Sequence, residues 1–313
     1  MPGITRCDVL PLPGDRFSFR VDGREVTAWN FAADLKRPFL FPVNGPVSGE
    51  SLSRLGHPGA PNHDHHDSVW FAHNKVLGVD FWGNTSPASI RQTQWLAMED
   101  NDQFARAAVR LAWSDGHDAQ PLLEQDLIIE VRPLVSGDYT VELTAQFTPR
   151  AEVLEFQQTN FGFFAVRVAR SISAVFGEGR LTSSSGATGE KNLFDKTAEW
   201  MDDSGPMPKT LADGSRAAVM EGITLFDHRT NPRFPSSWHV RDDGWMGPSV
   251  CHSAPLVVRR SQPLMLRYLL HPHSGPVDQE KATTVQTEWH SRPLLTVRKS
   301  TKPHHQFEIT PAS

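Results

Sequence analysis

The sequence predicts an all-β protein, a large antiparallel β-sandwich with few short helices, read as one domain over residues 1–313. Three observations lead there. The 24 prolines and 22 glycines are scattered through 313 residues rather than gathered in linkers, and such punctuation cuts a chain into short segments that suit strands. Many of those segments alternate apolar and polar residues with period two. No heptad, internal repeat, low-complexity tract or composition shift marks a helical bundle or a second domain.

Taken in order, Phe17-Ser18-Phe19-Arg20-Val21 alternates into Asp22-Gly23, a hairpin dipeptide, and residues 25–29 read as the return strand. Residues 37–43 form an apolar strand bounded by prolines, hence an edge or a bulged strand. Residues 44–62 are a Gly-, Pro- and Ser-rich loop. Strands follow at 68–72, 107–113, 126–132, 139–147, 153–157 and 163–168. In 139–147, Val141, Leu143, Ala145 and Phe147 face one side and Thr140, Glu142, Thr144 and Gln146 the other, the pattern of a half-buried strand. Only residues 164–176 carry some helical character. Residues 177–213 are polar and glycine-rich, with an aromatic island at 194–201. Residues 222–226 are a strand, and 255–259 and 264–270 read as a hairpin around Ser261-Gln262-Pro263. The last twenty or so residues carry few apolar positions and are expected at the surface.

Composition narrows the function. A formal net charge of −5 gives no electrostatic case for nucleic acid or an anionic membrane. No apolar run approaches the roughly 18–20 residues that span a bilayer. The N-terminus lacks a basic end followed by an apolar core, so no signal peptide is read and a cytoplasmic location is expected, or a periplasmic one if a signal was trimmed. Two cysteines, Cys7 and Cys251, suit free thiols in a reducing compartment. Cys-x-x-Cys, phosphate-loop, dinucleotide and nucleophile-elbow motifs are missing.

The stretch at residues 61–82, PNHDHHDSVWFAHNKVLGVDFW, stands out. It carries His63, His65, His66 and His73 with Asp64, Asp67 and Asp80, among Trp70, Phe71, Phe81 and Trp82. Imidazole titrates near neutrality and is the commonest metal ligand. Two chemistries fit: a metal site drawing on His63, His65, His66 and His73, or an acid–base site pairing a histidine with a carboxylate. An inert hydrogen-bonded cluster is the bland alternative. A second constellation holds Asp227, His228, Arg229, Asn231 and Arg233, then Trp238, His239, Arg241 and Asp242. It follows a strand, where loops commonly carry ligand groups. A third, residues 191–200, sets Lys196 and Glu199 beside Phe194 and Trp200, a mixture that suits a sugar ring or an ordinary surface strand.

Together RPFLFPVNGP (37–46), NHDHHDSVWFAHNKVLGVDFW (62–82) and GITLFDHRTNPRFPSSWHVRDDG (222–244) resemble a bacterial family of unknown function whose members are often labelled methane-oxygenase-like (PmoA-like). His63, His65, His66, His73, Asp80, Trp82, Asp227, His228, Asn231, Pro232, His239 and Arg241 fall on the family pattern, and Lys196 and Trp200 match its Lys-x-x-x-Trp. The resemblance covers roughly residues 15–275. Asp67 departs from it, standing where many members carry a basic residue, and is expected to bear on substrate choice. The methane label conflicts with the lack of an apolar membrane-spanning run. The all-β reading also resembles the galactose-mutarotase-like supersandwich, used for sugar-ring epimerisation and polysaccharide cleavage.

The leading expectation is an enzyme acting on a small-molecule or oligosaccharide carbohydrate by glycoside cleavage, elimination, epimerisation or mutarotation. His65, His66 or His73 and His228 or His239 act as acid and base, and Asp80 and Asp227 orient them. Lys196, Trp82, Asn231, Trp238 and Arg241 hold the sugar. No cofactor is required. The alternatives are a metal-dependent oxygenase or hydrolase, with a divalent metal on His63, His65, His66 or His73, and a non-catalytic sugar-binding module. The sequence leaves oligomeric state open.

Overall fold

The computed structural model describes residues 5–57 and 63–312. Strands dominate, as expected. In chain order they are β1 (Cys7–Leu12), β2 (Arg16–Val21), β3 (Arg24–Asn30), β4 (Phe39–Val43), β5 (Val69–Ala72), β6 (Ser89–Asp100) and β7 (Ala105–Ser114). There follow β8 (Leu123–Pro133), β9 (Tyr139–Pro149), β10 (Val153–Phe156), β11 (Phe163–Arg167), β12 (Arg180–Ser183), β13 (Trp200–Thr210) and β14 (Arg216–Asp227). The last are β15 (Ser237–Arg241), β16 (Trp245–Ser249), β17 (Leu256–Arg259), β18 (Leu264–Ser274), β19 (Leu295–Lys299) and β20 (Phe307–Pro311). The helices are α1 (Glu190–Leu193), α2 (Gln279–Ser291) and a 3-10 turn at Arg170–Ile172.

Two eight-stranded sheets face each other. The first runs β1-β2-β3-β4-β5-β11-β16-β15 and the second β12-β13-β14-β18-β9-β8-β7-β6, and every pairing is antiparallel. Side chains at alternate positions fill the space between them: Phe17, Phe19, Phe71, Phe164 and Trp238 from the first sheet, Trp113, Phe147, Leu225 and Tyr268 from the second. This is the all-β sandwich expected from the alternation.

Two local readings change, one narrows and one holds. Residues 37–43 narrow to the bulged strand and not the edge: β4 lies inside the sheet between β3 and β5, with a register shift opposite Thr27 and Trp29. β9 is buried on both faces, because Glu142 pairs with Arg267 beneath α2. β17 and β18 do not pair as a hairpin. β17 joins β10, and β18 lies between β9 and β14. The last twenty or so residues lie mostly at the surface, as expected, with Leu295 and Ile309 buried. α2 packs Val285 and Trp289 onto Trp200, Phe226 and Leu269, and the β19–β20 hairpin sets Leu295 and Ile309 against Leu96 and Ile128. The outer face of the second sheet thus has its own apolar cover. Cys7 and Cys251 are free and buried. No helix among the described residues is long and apolar enough to cross a membrane.

Candidate functional site

The histidine stretch enters the first sheet through β5, and a single buried arginine sets its course. Arg37 donates from Nη1 to the His65 carbonyl (2.9 Å) and Asp67 Oδ2 (2.7 Å), and from Nη2 to the Trp82 carbonyl (2.7 Å). It thereby ties the loop before β5 to the loop after it. Asp67 is engaged by this pair and lies outside the cleft lining. Burial still pushes the Asp67 carboxyl up, to about 6, against the pull of Arg37. Ser68, at φ 63°, turns the chain into β5 and donates to Ser53 Oγ (2.7 Å).

Opposite stands the β15–β16 hairpin. Trp238 and Val240 point into the core, so period two turns His239 and Arg241 outward. Trp245 lies opposite Arg241 in register and Gly247 opposite His239. A Cβ on Gly247 would sit 3.3 Å from Trp245 Nε1 and 3.0 Å from the Phe164 carbonyl, so the missing side chain gives the indole its place.

These walls enclose a cleft of about 440 Å³ lined by His63, His65, His66, Asn74, Asp80, Trp82, Gly83, Phe161, His239, Arg241, Asp243 and Trp245. Trp245 is its hub. Its ring centroid lies 4.3 Å from His239, 5.0 Å from His66, 5.8 Å from Trp82 and 6.0 Å from Phe161. The floor is aromatic and the rim polar.

The imidazoles are held neutral. Burial, with Arg37 nearby, lowers His65 to about 4. Burial and the neighbouring His65 lower His66 to about 2. Burial and Arg241 lower His239 to about 4. His239 Nδ1 lies 3.2 Å from the Asn160 carbonyl, and a carbonyl only accepts, so Nδ1 carries the proton and Nε2 the lone pair. Arg241 is oriented by Glu190 (2.9 Å) and lies over the Phe194 ring. Glu190 and Asp242 clasp each other's main chain, holding α1 against the turn after β15. Asp243 is shared by Arg167 (2.6 Å) and His57 (3.3 Å). Although burial pushes its carboxyl up, Arg167 and His57 bring it below the ordinary range.

Of the residues singled out from sequence, His63, His65, His66, Asp80, Trp82, His239 and Arg241 meet here. The others do not. His73 is fully buried, stacks on Phe163 and reaches the Gln157 carbonyl with Nε2 (2.9 Å), so it is neither a cleft acid nor a fourth ligand beside the other imidazoles. Asp227 accepts from Asn231 Nδ2 (2.7 Å) and the Ser236 amide (2.9 Å). Asn231 in turn bonds both main-chain groups of Arg267. That is an internal clamp between β14 and β18. His228 is buried against Trp289 and His290 and accepts at Nδ1 from the Thr230 amide. Trp238 is buried, its indole donating to the Ala198 carbonyl. Lys196 is exposed and lies outside the cleft lining. Asp80 caps a turn, its Oδ1 accepting from the Trp82 and Gly83 amides. Among the described residues, no three His, Cys, Asp or Glu side chains are grouped to hold a metal. Pro61 and Asn62, at the start of the stretch, lie outside the described residues.

Sequence reasoning missed Asn74, Phe161, Asp243 and Trp245. Trp245 was within reach: Asp242-Asp243-Gly244 is a turn signal, and a hairpin through it puts Trp245 beside Arg241.

Residues 16–287 match the model of a family described as "Family of unknown function (DUF6807)". The chain belongs to that family. The description of DUF6807 carries no methane-oxygenase label, so that part of the resemblance is unsupported. No curated protein matches the chain. Among solved structures it is similar to a "putative mutarotase (YeaD) from Salmonella typhimurium", at 12% identity and a TM-score of 0.30, over 85% of this chain and 96% of that one. A likeness at that score carries no inference about activity.

Proposed function

We propose that this DUF6807 chain is a carbohydrate-active enzyme that works by proton abstraction in the Trp245 cleft. The observation that carries the reading is His239. Its tautomer leaves Nε2 free to accept, its neighbours keep it neutral, and it stands over an aromatic floor that Arg241 and Asp80 border. A sugar ring has an apolar face for Trp82, Phe161 and Trp245 and hydroxyls for Asp80, Asn74 and Arg241. His239 Nε2 takes a proton from a hydroxyl or an acidic C–H, and Arg241 stabilises the negative charge that develops. Because His65, His66 and His239 are all neutral near pH 7, the cleft offers bases and no imidazolium acid. Epimerisation, mutarotation or elimination therefore fits better than hydrolysis, which needs a carboxylic acid with a raised pKa facing a second carboxylate.

The test is a screen of the purified chain against oligosaccharides and oxidised (3-keto) glycosides, with products read by mass spectrometry. Replacing His239 by Gln is expected to cost about 10²–10⁴-fold in turnover while leaving binding in place. Binding without turnover in the unaltered chain would make it a sugar-binding module instead. Turnover unaffected by His239→Gln would refute the assignment.

A further inference from the structure

The lining of the Trp245 cleft holds one carboxylate oxygen that the chain leaves free. Asp80 Oδ1 is pinned by the amides of Trp82 (2.7 Å) and Gly83 (3.0 Å). Oδ2 accepts nothing from the described residues, and it is not sealed off from solvent. The turn thus fixes the carboxylate by one oxygen and presents the other.

Gly83 keeps that oxygen open. Its backbone is not left-handed, so the turn does not need a glycine for its conformation. A Cβ there would lie 2.8 Å from Asp80 Oδ2 and, chain neighbours aside, would meet only that carboxylate within 4 Å. The missing side chain leaves room above one atom.

Pairing sets Asp80 apart as well. Of the other acidic and basic side chains in the lining, histidines aside, Arg241 is paired with Glu190 and Asp243 with Arg167. Asp80 is held by two main-chain amides and has no ion-pair partner among the described residues. An ionised carboxylate only accepts, and its free oxygen carries two lone pairs. It suits two hydroxyls on neighbouring ring carbons, and hydrogen bonds to a charged group are the stronger kind.

Position separates this contact from the chemistry. The aromatic floor lies between the wall that carries Asp80 and the wall that carries His239. Ring centroids are 5.0 Å apart for Trp82 and Phe161 and 5.9 Å apart for Phe161 and His239. A sugar lying on that floor with its reacting carbon at His239 turns its far hydroxyls toward Asp80. Contacts remote from the reacting centre are where binding energy is drawn for orientation.

We propose that Asp80 is the specificity-determining residue of the cleft: its free oxygen reads two neighbouring hydroxyls of the sugar, so the substrate is a ring substituted at neither position. This rests on the carbohydrate reading above and narrows it.

The test is isothermal titration calorimetry on the full chain with D-glucose, D-galactose, D-mannose, D-xylose and their methyl glycosides, then with the monodeoxy and deoxyfluoro counterparts of each sugar that binds. Removing either of two neighbouring hydroxyls is expected to weaken binding to the unaltered chain about 10–100-fold. Fluorine, which cannot donate, is expected to do no better than hydrogen. In Asp80→Asn, whose Oδ1 still accepts from both amides, the parent sugar is expected to bind about 10–100-fold more weakly and the deoxy penalty to disappear. Gly83→Ala, which crowds the same oxygen without changing charge, is expected to act in the same direction. Melting curves establish that each variant is folded, and Gly83→Ala carries the test alone should Asp80→Asn not fold. A deoxy penalty that persists in the folded variants, or binding restored by fluorine, overturns the inference and leaves the carbohydrate reading standing. If no sugar of the panel binds, both fall.

Discussion

Replacing Arg37 by Met tests how the cleft is held. The side chain is 1% exposed, and its guanidinium serves the His65 and Trp82 carbonyls and the Asp67 carboxylate. Methionine fills the volume and serves none of them. Removing one partner of a buried ion pair costs about 3–5 kcal/mol. Asp67 already stands at about 6 with Arg37 present, so without it the carboxyl takes a proton near neutral pH and escapes part of that penalty. The expected loss is therefore at the low end, about 3 kcal/mol, a large share of the roughly 5–15 kcal/mol that holds a typical domain. Urea unfolding followed by tryptophan fluorescence reads it as a fall in midpoint with an unchanged slope. Asp67→Asn added to Arg37→Met should recover part of the loss, because the stranded charge is gone. A loss below about 1 kcal/mol, or no recovery in the double variant, would refute the view that this pair organises the two loops.

Four further outcomes are expected. The turnover proposed for the cleft should be level near neutrality and fall in acid, with the free-enzyme profile titrating near the His239 value of about 4; a profile breaking at the ordinary histidine value would point to another base. Asn231→Ala should cost about 2–3 kcal/mol of stability, since it strands the buried Asp227 and main-chain groups of Arg267, with turnover of the folded fraction kept; a specific loss of turnover would return this loop to the active site. Gly247→Ala should impair turnover more than stability, because the added methyl presses on the Trp245 indole, and an unchanged kcat would count against Trp245 as the hub. His273, whose Nε2 lies 2.8 Å from Asp202 Oδ2, has a folded pKa above its unfolded value, so its contribution to stability is complete below about pH 6.5 and is lost as pH rises through the folded value. Thermal melts across that range should show the decline, and Asp202→Asn should flatten it.

Much of the strand content could be read from the sequence because period two is local: one face of β7, β8 and β9 must be apolar wherever those strands go. The edges of the reading failed where burial came from distant chain. Thr140, Glu142 and Thr144 look solvent-facing until α2 and Arg267 cover them, and β17 looks like the partner of β18 until β10 takes it. The cleft was half legible. A histidine-rich stretch announces itself by residue type, and His239 and Arg241 share one strand face at spacing two. Asp227 and Asn231 are as polar, yet they close an internal clamp, and His228 packs on Trp289, because what separates a ligand group from a structural one is the direction of the side chain and the company it finds.

By itself the sequence determined the all-β class, because alternation is a property of the chain alone, and its residue types singled out 61–82 and 226–242 as candidate halves of one site. Only the tertiary structure decided which histidines face a common cleft, that Trp245 stands at its centre, and that Arg37 pins both loops. Each of those depends on which strands are neighbours in a sheet, and neighbours such as β5, β11 and β16 are brought together from segments up to about 170 residues apart by burial of the shared core.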